Sequence, residues 1–144
     1  MLNKNLWNQN QDINLFNSRE GFGWGWLVWK IVSLQISDVK IDILAIGAHP
    51  DDVELSCAGT LAKEIAHGKQ VAILDLTQGE LGTRGNAEIR AKEAKDAANI
   101  LGATARYNLN FADGFFENNK AHQLQLAAYI RLLKPNMVLC NAVE

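Results

Sequence analysis

The sequence predicts an α/β fold, a parallel sheet with helices on its faces, and three observations carry that prediction. From residue 40 onward, continuous apolar and β-branched runs alternate with segments of helical period. Gly68, Gly102 and Pro135 stand where those helical segments should stop. The connections are short, so successive strands are joined through helices by right-handed crossovers, which makes the sheet parallel.

The elements follow in order. "KIDILAIGA" (40–48) reads as a strand covered on both faces. "VELSCAGTLAKEIAHG" (53–68) carries apolar residues at 58, 61, 62 and 65, a helical stripe ended by Gly68. "QVAILDLT" (70–77) is a second buried strand. "NAEIRAKEAKDAANILG" (86–102) reads as an amphipathic helix with Ala94, Ala97, Ala98 and Leu101 inward and Gly102 closing it. "RYNLN" (106–110) is a shorter third strand, "NKAHQLQLAAYIRLLKP" (119–135) a third helix, and "NMVLCNA" (136–142) a fourth strand. The order βαβαβαβ gives a Rossmann-like parallel sheet with flanking helices, cut off after about the fourth strand.

Residues 1–38 are different. They are rich in Asn, Gln and Trp and keep neither a period of 2 nor one of 3.6. They read as an atypical N-terminal extension, disordered or the product of a misassigned start at a chain whose domain occupies 39–144. Within them, "GFGWGWLVWKIVSLQI" (21–36) is interrupted by Lys30 and falls short of the roughly 20 apolar residues of a membrane span. An interfacial helix built on Trp24, Trp26 and Trp29 stays open as the alternative. The net charge of −2, with no dense run of Lys or Arg, argues against a nucleic-acid surface. Cys57 and Cys140 lie far apart without CxxC spacing and read as buried free thiols in a reducing, cytoplasmic setting.

The chemistry concentrates in "IGAHPDDVEL" (46–55), at the carboxyl end of the first strand, the edge where open parallel sheets bind ligands. Pro50 has no N–H and marks where the chain leaves the sheet. One aspartate as a helix cap explains part of the pattern. It does not explain three ionisable groups at one edge. His49 and Asp52, three apart across a turn, can aim at one point, while Asp51 turns aside but stays near. Imidazole and carboxylate suit Zn²⁺, and a spare carboxylate can take a proton from water. A metal hydrolase is favoured over simple capping.

"AHPDDVE" after the first strand, with "TQGELGTRGNAEIRAKEA" after the second, resembles the zinc-dependent N-acetylglucosamine deacetylases (LmbE-like, or PIG-L-like) from about Lys40 to the last residue. The blocks "KIDILAIGAHPDDVELSCAGTL" and "GELGTRG" look most like the N-acetylglucosaminyl-malate deacetylases of bacillithiol biosynthesis. The resemblance implies His49 and Asp52 as zinc ligands, Asp51 as general base, and Arg90 at the substrate pocket. Glu80 and Asp113 are weaker candidates for substrate contact. Each has a plainer reading: a surface ion pair for Arg90, solvation for Glu80, and the turn dipeptide Asp113–Gly114. Arg84 decorates a Gly-rich loop that lacks a phosphate-binding fingerprint.

The family draws its third zinc ligand from a histidine motif just past the fourth strand, and this sequence stops at Glu144, in "CNAVE". His67, at the far end of the first helix, lies roughly 20 Å from the site. His122 lies on the correct edge but matches nothing in the family pattern. The sequence therefore predicts hydrolysis of the N-acetyl group of a small-molecule GlcNAc conjugate, GlcNAc-malate first. Its rival is a non-catalytic Rossmann-like binding module or an inactive truncated product. Apolar surface left uncovered by the missing portion would favour a homo-oligomer.

Overall fold

The computed structural model describes residues 40–141, Arg84 excepted. The expectations for the extension 1–38 and for Val39 fall outside the described residues. Four strands, β1 (Ile43–Gly47), β2 (Val71–Thr77), β3 (Ala105–Phe111) and β4 (Met137–Leu139), form one parallel sheet in the order β3-β2-β1-β4. The helices are α1 (Asp52–Ala66), α2 (Ala87–Leu101) and α3 (Lys120–Leu133).

Side-chain alternation along β1 and β2 divides the core in two. Ile43, Ala45, Val71 and Ile73 face one side and pack with Val53 and Leu61 of α1 and Ala98 of α2. Leu44, Ala72 and Leu74 face the other and pack with Leu133, Leu126 and Ile130 of α3. The first two crossovers thus lie on one face and the third, which returns past β1 to reach β4, on the other. This is what right-handed connections require once the direction reverses. The reversal puts the topological switch beside β1, the strand whose carboxyl end carries His49.

The structure moves several element boundaries. In α1 the inward stripe runs Val53, Cys57, Leu61, Ile65, while Ala62 is exposed. Spacing of four keeps Leu61 on the sheet and swings Ala62 about 100° away from it. Gly102 ends α2 in the left-handed region at φ 81, where its amide returns to Ala98 O. β3 is one residue longer at each end than expected, because Ala105 and Phe111 also pair with β2, and Asn108 within it donates its side-chain amide to Thr77 O at 2.6 Å. β4 is shorter, three residues paired with β1. Cys140, just beyond it, is exposed rather than buried, and Cys57 is half-buried; both are free thiols.

Candidate metal and catalytic site

The loop after β1 is shaped by Asp52 and Thr77. Asp52 opens α1, and its Oδ2 reaches back to accept from the backbone N–H of Ala48 at 2.9 Å and of His49 at 3.0 Å. Neither aspartate is a side-chain cap in the usual sense: Asp51 holds the N-cap position without a capping hydrogen bond. Fully buried Thr77, at the end of β2, donates both its amide and its hydroxyl to Ala48 O, each at 2.9 Å. Gly47 must be small here, since a Cβ would sit 3.0 Å from Asp52 Cβ.

These restraints aim His49. Its Nδ1 stands 3.7 Å from Asp52 Oδ2, so the two sequence-predicted metal donors do converge. Its Nε2 lies 2.8 Å from Asp113 Oδ1. An ionised carboxylate only accepts, so Nε2 carries a proton, and in the neutral imidazole Nδ1 is then the nitrogen with a free lone pair, on the side of Asp52. Asp113 is buried, and its second oxygen accepts from Leu81 N–H at 3.1 Å. Burial pushes its carboxyl up, but the bonds from His49, Leu81 N–H and Gly114 N–H prevail and hold it below the ordinary carboxylate value. Its neighbour Glu80 is an exposed residue whose Oε1 accepts from Asp113 N–H at 2.8 Å. Asp113 thus reaches His49, and Glu80 reaches the Asp113 backbone.

Asp51 points elsewhere, toward Arg90. Arg90 Nη2 donates to Asp51 Oδ2 at 3.0 Å and Nη1 to Gly79 O at 2.8 Å. The ion pair, the plainer reading of Arg90, joins it to a residue 39 positions away in the loop after β1. Gly79, at φ 65, leaves room for it, because a Cβ there would collide with the guanidinium. A cavity of about 180 Å³ opens beside this pair, lined by Pro50, Asp51, Glu54, Arg90, Glu93, Ala94 and Ala97. His122 stacks on Phe111 with ring centroids 4.2 Å apart and bonds Glu117 O within its own turn. His67 caps the far end of α1.

A buried ionic cluster beneath the loop escaped the sequence reading. Arg106 in β3 meets Asp75 in β2, Glu54 in α1 and the carbonyls of Pro50 and Ala94. Burial pushes the Asp75 carboxyl up to about 6, against the lowering effect of Arg106. One signal was present: a lone aspartate in the apolar strand "VAILDLT" cannot stay buried without a cationic partner.

A Rossmann-like parallel sheet thus carries a His–Asp pair at its switch point, with a third carboxylate holding the histidine. The PIG-L family (GlcNAc-PI de-N-acetylase) matches residues 44–143, and the chain belongs to that family. It is 44% identical over 101 residues to the uncharacterized deacetylase YaiS of Escherichia coli, covering 70% of this chain and 51% of YaiS. The crystal structure of a conserved protein of Thermus thermophilus matches with TM-score 0.65 and 46% identity, over 68% of this chain and 44% of that one. The N,N'-diacetylchitobiose deacetylase of Pyrococcus horikoshii, solved with an inhibitor, matches with TM-score 0.64 and 25% identity, over 84% of this chain and 51% of that one. The chain spans about half the length of YaiS and of both solved proteins. No helix among the described residues is long and apolar enough to cross a membrane.

Proposed function

We propose that this chain carries the metal- and proton-handling part of a zinc-dependent deacetylase. The reaction is hydrolysis of the N-acetyl group of a GlcNAc conjugate, GlcNAc-malate foremost, to acetate and the free amine. One observation carries the reading: two donor atoms, His49 Nδ1 and Asp52 Oδ2, stand side by side 3.7 Å apart, and in the neutral imidazole whose Nε2–H goes to Asp113 both present lone pairs. A cation resolves that juxtaposition. Two donors each about 2.0–2.2 Å from one Zn²⁺ lie at most about 4.4 Å apart, so the residues fit the ion. Among the described residues no group of three or more His, Cys, Asp and Glu side chains is gathered for a metal. The third protein donor is therefore proposed to come from outside them.

Bound zinc would act as a Lewis acid toward the amide carbonyl and make water acidic at neutral pH. The chain's own residues do the rest. Asp51 accepts a proton from the attacking water and returns it to the departing nitrogen. Arg90, braced on Gly79 O, holds the Asp51 carboxylate through one oxygen and offers its remaining donors to a substrate carboxylate or hydroxyl. Glu80 and Asp113 flank the opposite side, where Asp113 also fixes the His49 ring. A small-molecule substrate and a cytoplasmic setting complete the proposal, as does self-association of the chain, which sedimentation at several concentrations tests.

The test measures zinc binding by competition with a chromophoric chelator, alongside acetate release from GlcNAc-malate, GlcNAc and N,N'-diacetylchitobiose. Zinc binding that is lost in both His49→Ala and Asp52→Ala supports the site. Binding indifferent to both substitutions, or no binding at all, overturns it. Preference for GlcNAc-malate among the three compounds supports the substrate, and preference for either of the others overturns that part alone.

A further inference from the structure

The Arg106 cluster does more than neutralise two buried carboxylates. Its side chain is 7% exposed, and the guanidinium ties β3 to three other elements and one loop. Nε and Nη2 donate to the two oxygens of Asp75 in β2, at 2.7 and 3.0 Å. Nη1 donates to Glu54 in the first turn of α1 and, at 3.0 Å, to Ala94 O of α2. Nη2 also donates to Pro50 O at 2.8 Å. An arginine has five N–H donors in a rigid fork, and these contacts use all of them.

The last contact is the informative one. Pro50 is buried and has no N–H, so the carbonyl is its only backbone polar group, and Arg106 takes it. That carbonyl lies in the peptide plane joining Pro50 to Asp51, one residue beyond His49. A fixed plane there sets the direction in which Asp51 leaves the backbone, and the turn that brings His49 over Asp52. An ion pair serving the fold alone would be complete with Asp75 and Glu54.

We propose that Arg106 is a positioning residue that locks the Pro50–Asp51 peptide to the sheet and so holds His49, Asp51 and Asp52 in register. Its consequence for metal affinity rests on the functional reading above; the lock itself stands on geometry. Lysine, with three donors on one nitrogen, can pair with Asp75 but cannot also span Glu54, Ala94 O and Pro50 O.

The experiment is amide hydrogen exchange on the full chain, with cobalt(II) titration in parallel. The loop reporters are the Ala48 and His49 amides, which donate to Asp52 Oδ2; the sheet reporters are the amides of β2. In Arg106→Lys the loop amides are expected to exchange about tenfold faster while β2 keeps its protection. Cobalt affinity should fall by about 10- to 100-fold, as when a metal ligand loses its support. The control is Asp42→Ala, which removes the acceptor of the bonds donated by Gln70 N–H and the Asn136 side-chain amide at the opposite edge of the sheet. It should leave the ratio of loop to sheet exchange unchanged. If Arg106→Lys does not fold, Arg106→Met with Asp75→Leu and Glu54→Gln removes the cluster's charges together and the same ratio is read. Loop and sheet amides accelerating in step, or loop amides unchanged, overturns the proposal. A wild-type chain that takes no cobalt defeats the metal reading, and the exchange ratio then decides the lock by itself.

Discussion

Replacing Asp75 with Asn isolates the balance between burial and pairing in the cluster below the site. Two effects oppose each other at this carboxyl. Removal from water favours the neutral form, while the two bonds from Arg106 favour the ion. Burial wins, and the carboxyl titrates at about 6 in the folded chain instead of 3.8. A folded carboxyl that binds its proton more tightly than the unfolded one stabilises the fold most in acid. Below pH 4 both states carry the proton. Between roughly pH 4 and 6 the unfolded chain loses it first, so stability falls across that window and levels off above it. About two decades of proton affinity correspond to about 3 kcal/mol. Asparagine keeps the shape and cannot titrate. The assay is urea unfolding of wild type and Asp75→Asn from pH 4 to pH 7.5, read as the difference between the two stabilities so that other carboxylates cancel. The wild-type advantage should shrink by about 3 kcal/mol across the window. A flat difference, or one that grows with pH, would show that the Arg106 fork prevails over burial.

Asp113 behaves in the opposite sense: its lowered carboxyl contributes stability that is present above the ordinary carboxylate range and lost as pH falls through its folded value. Asp113→Asn should therefore soften acid unfolding below about pH 4, seen in circular dichroism titration. Gly79→Ala should cost at least about 1 kcal/mol for a left-handed alanine and also expel Arg90 from Asp51. In an Arg90→Ala background only the strain remains, so a double-mutant cycle in urea should give a non-additive pair. Leu61→Ala, at a fully buried position between α1 and the sheet, should lower stability by about 2–5 kcal/mol without changing zinc binding per folded chain.

The sheet was legible because burial on both faces leaves a plain mark: β1 and β2 are continuous apolar runs, and glycine or proline stands where each helix ends. β3 was legible in its middle, residues 106–110, but not at its ends, where pairing of Ala105 and Phe111 with β2 extends it without any pattern in the sequence. The inward stripe of α1 was misplaced toward Ala62, because small residues on a helix do not disclose which face meets the sheet. His49, Asp51 and Asp52 were legible as a group, being joined within three positions at a strand end.

The sequence by itself determined the alternation of strands and helices, the family, and the local pairing of His49 with Asp52, all of which depend on neighbours along the chain. Only the tertiary structure decided that Asp113 turns the His49 ring, that Arg90 belongs to Asp51 rather than to its own helix, and that Arg106 grips Pro50 from beneath. Those contacts join residues 39 to 64 positions apart. Their directions come from how β3, the loop after it and α2 meet the loop after β1 at one edge of the sheet, and no periodicity in the sequence records such a meeting.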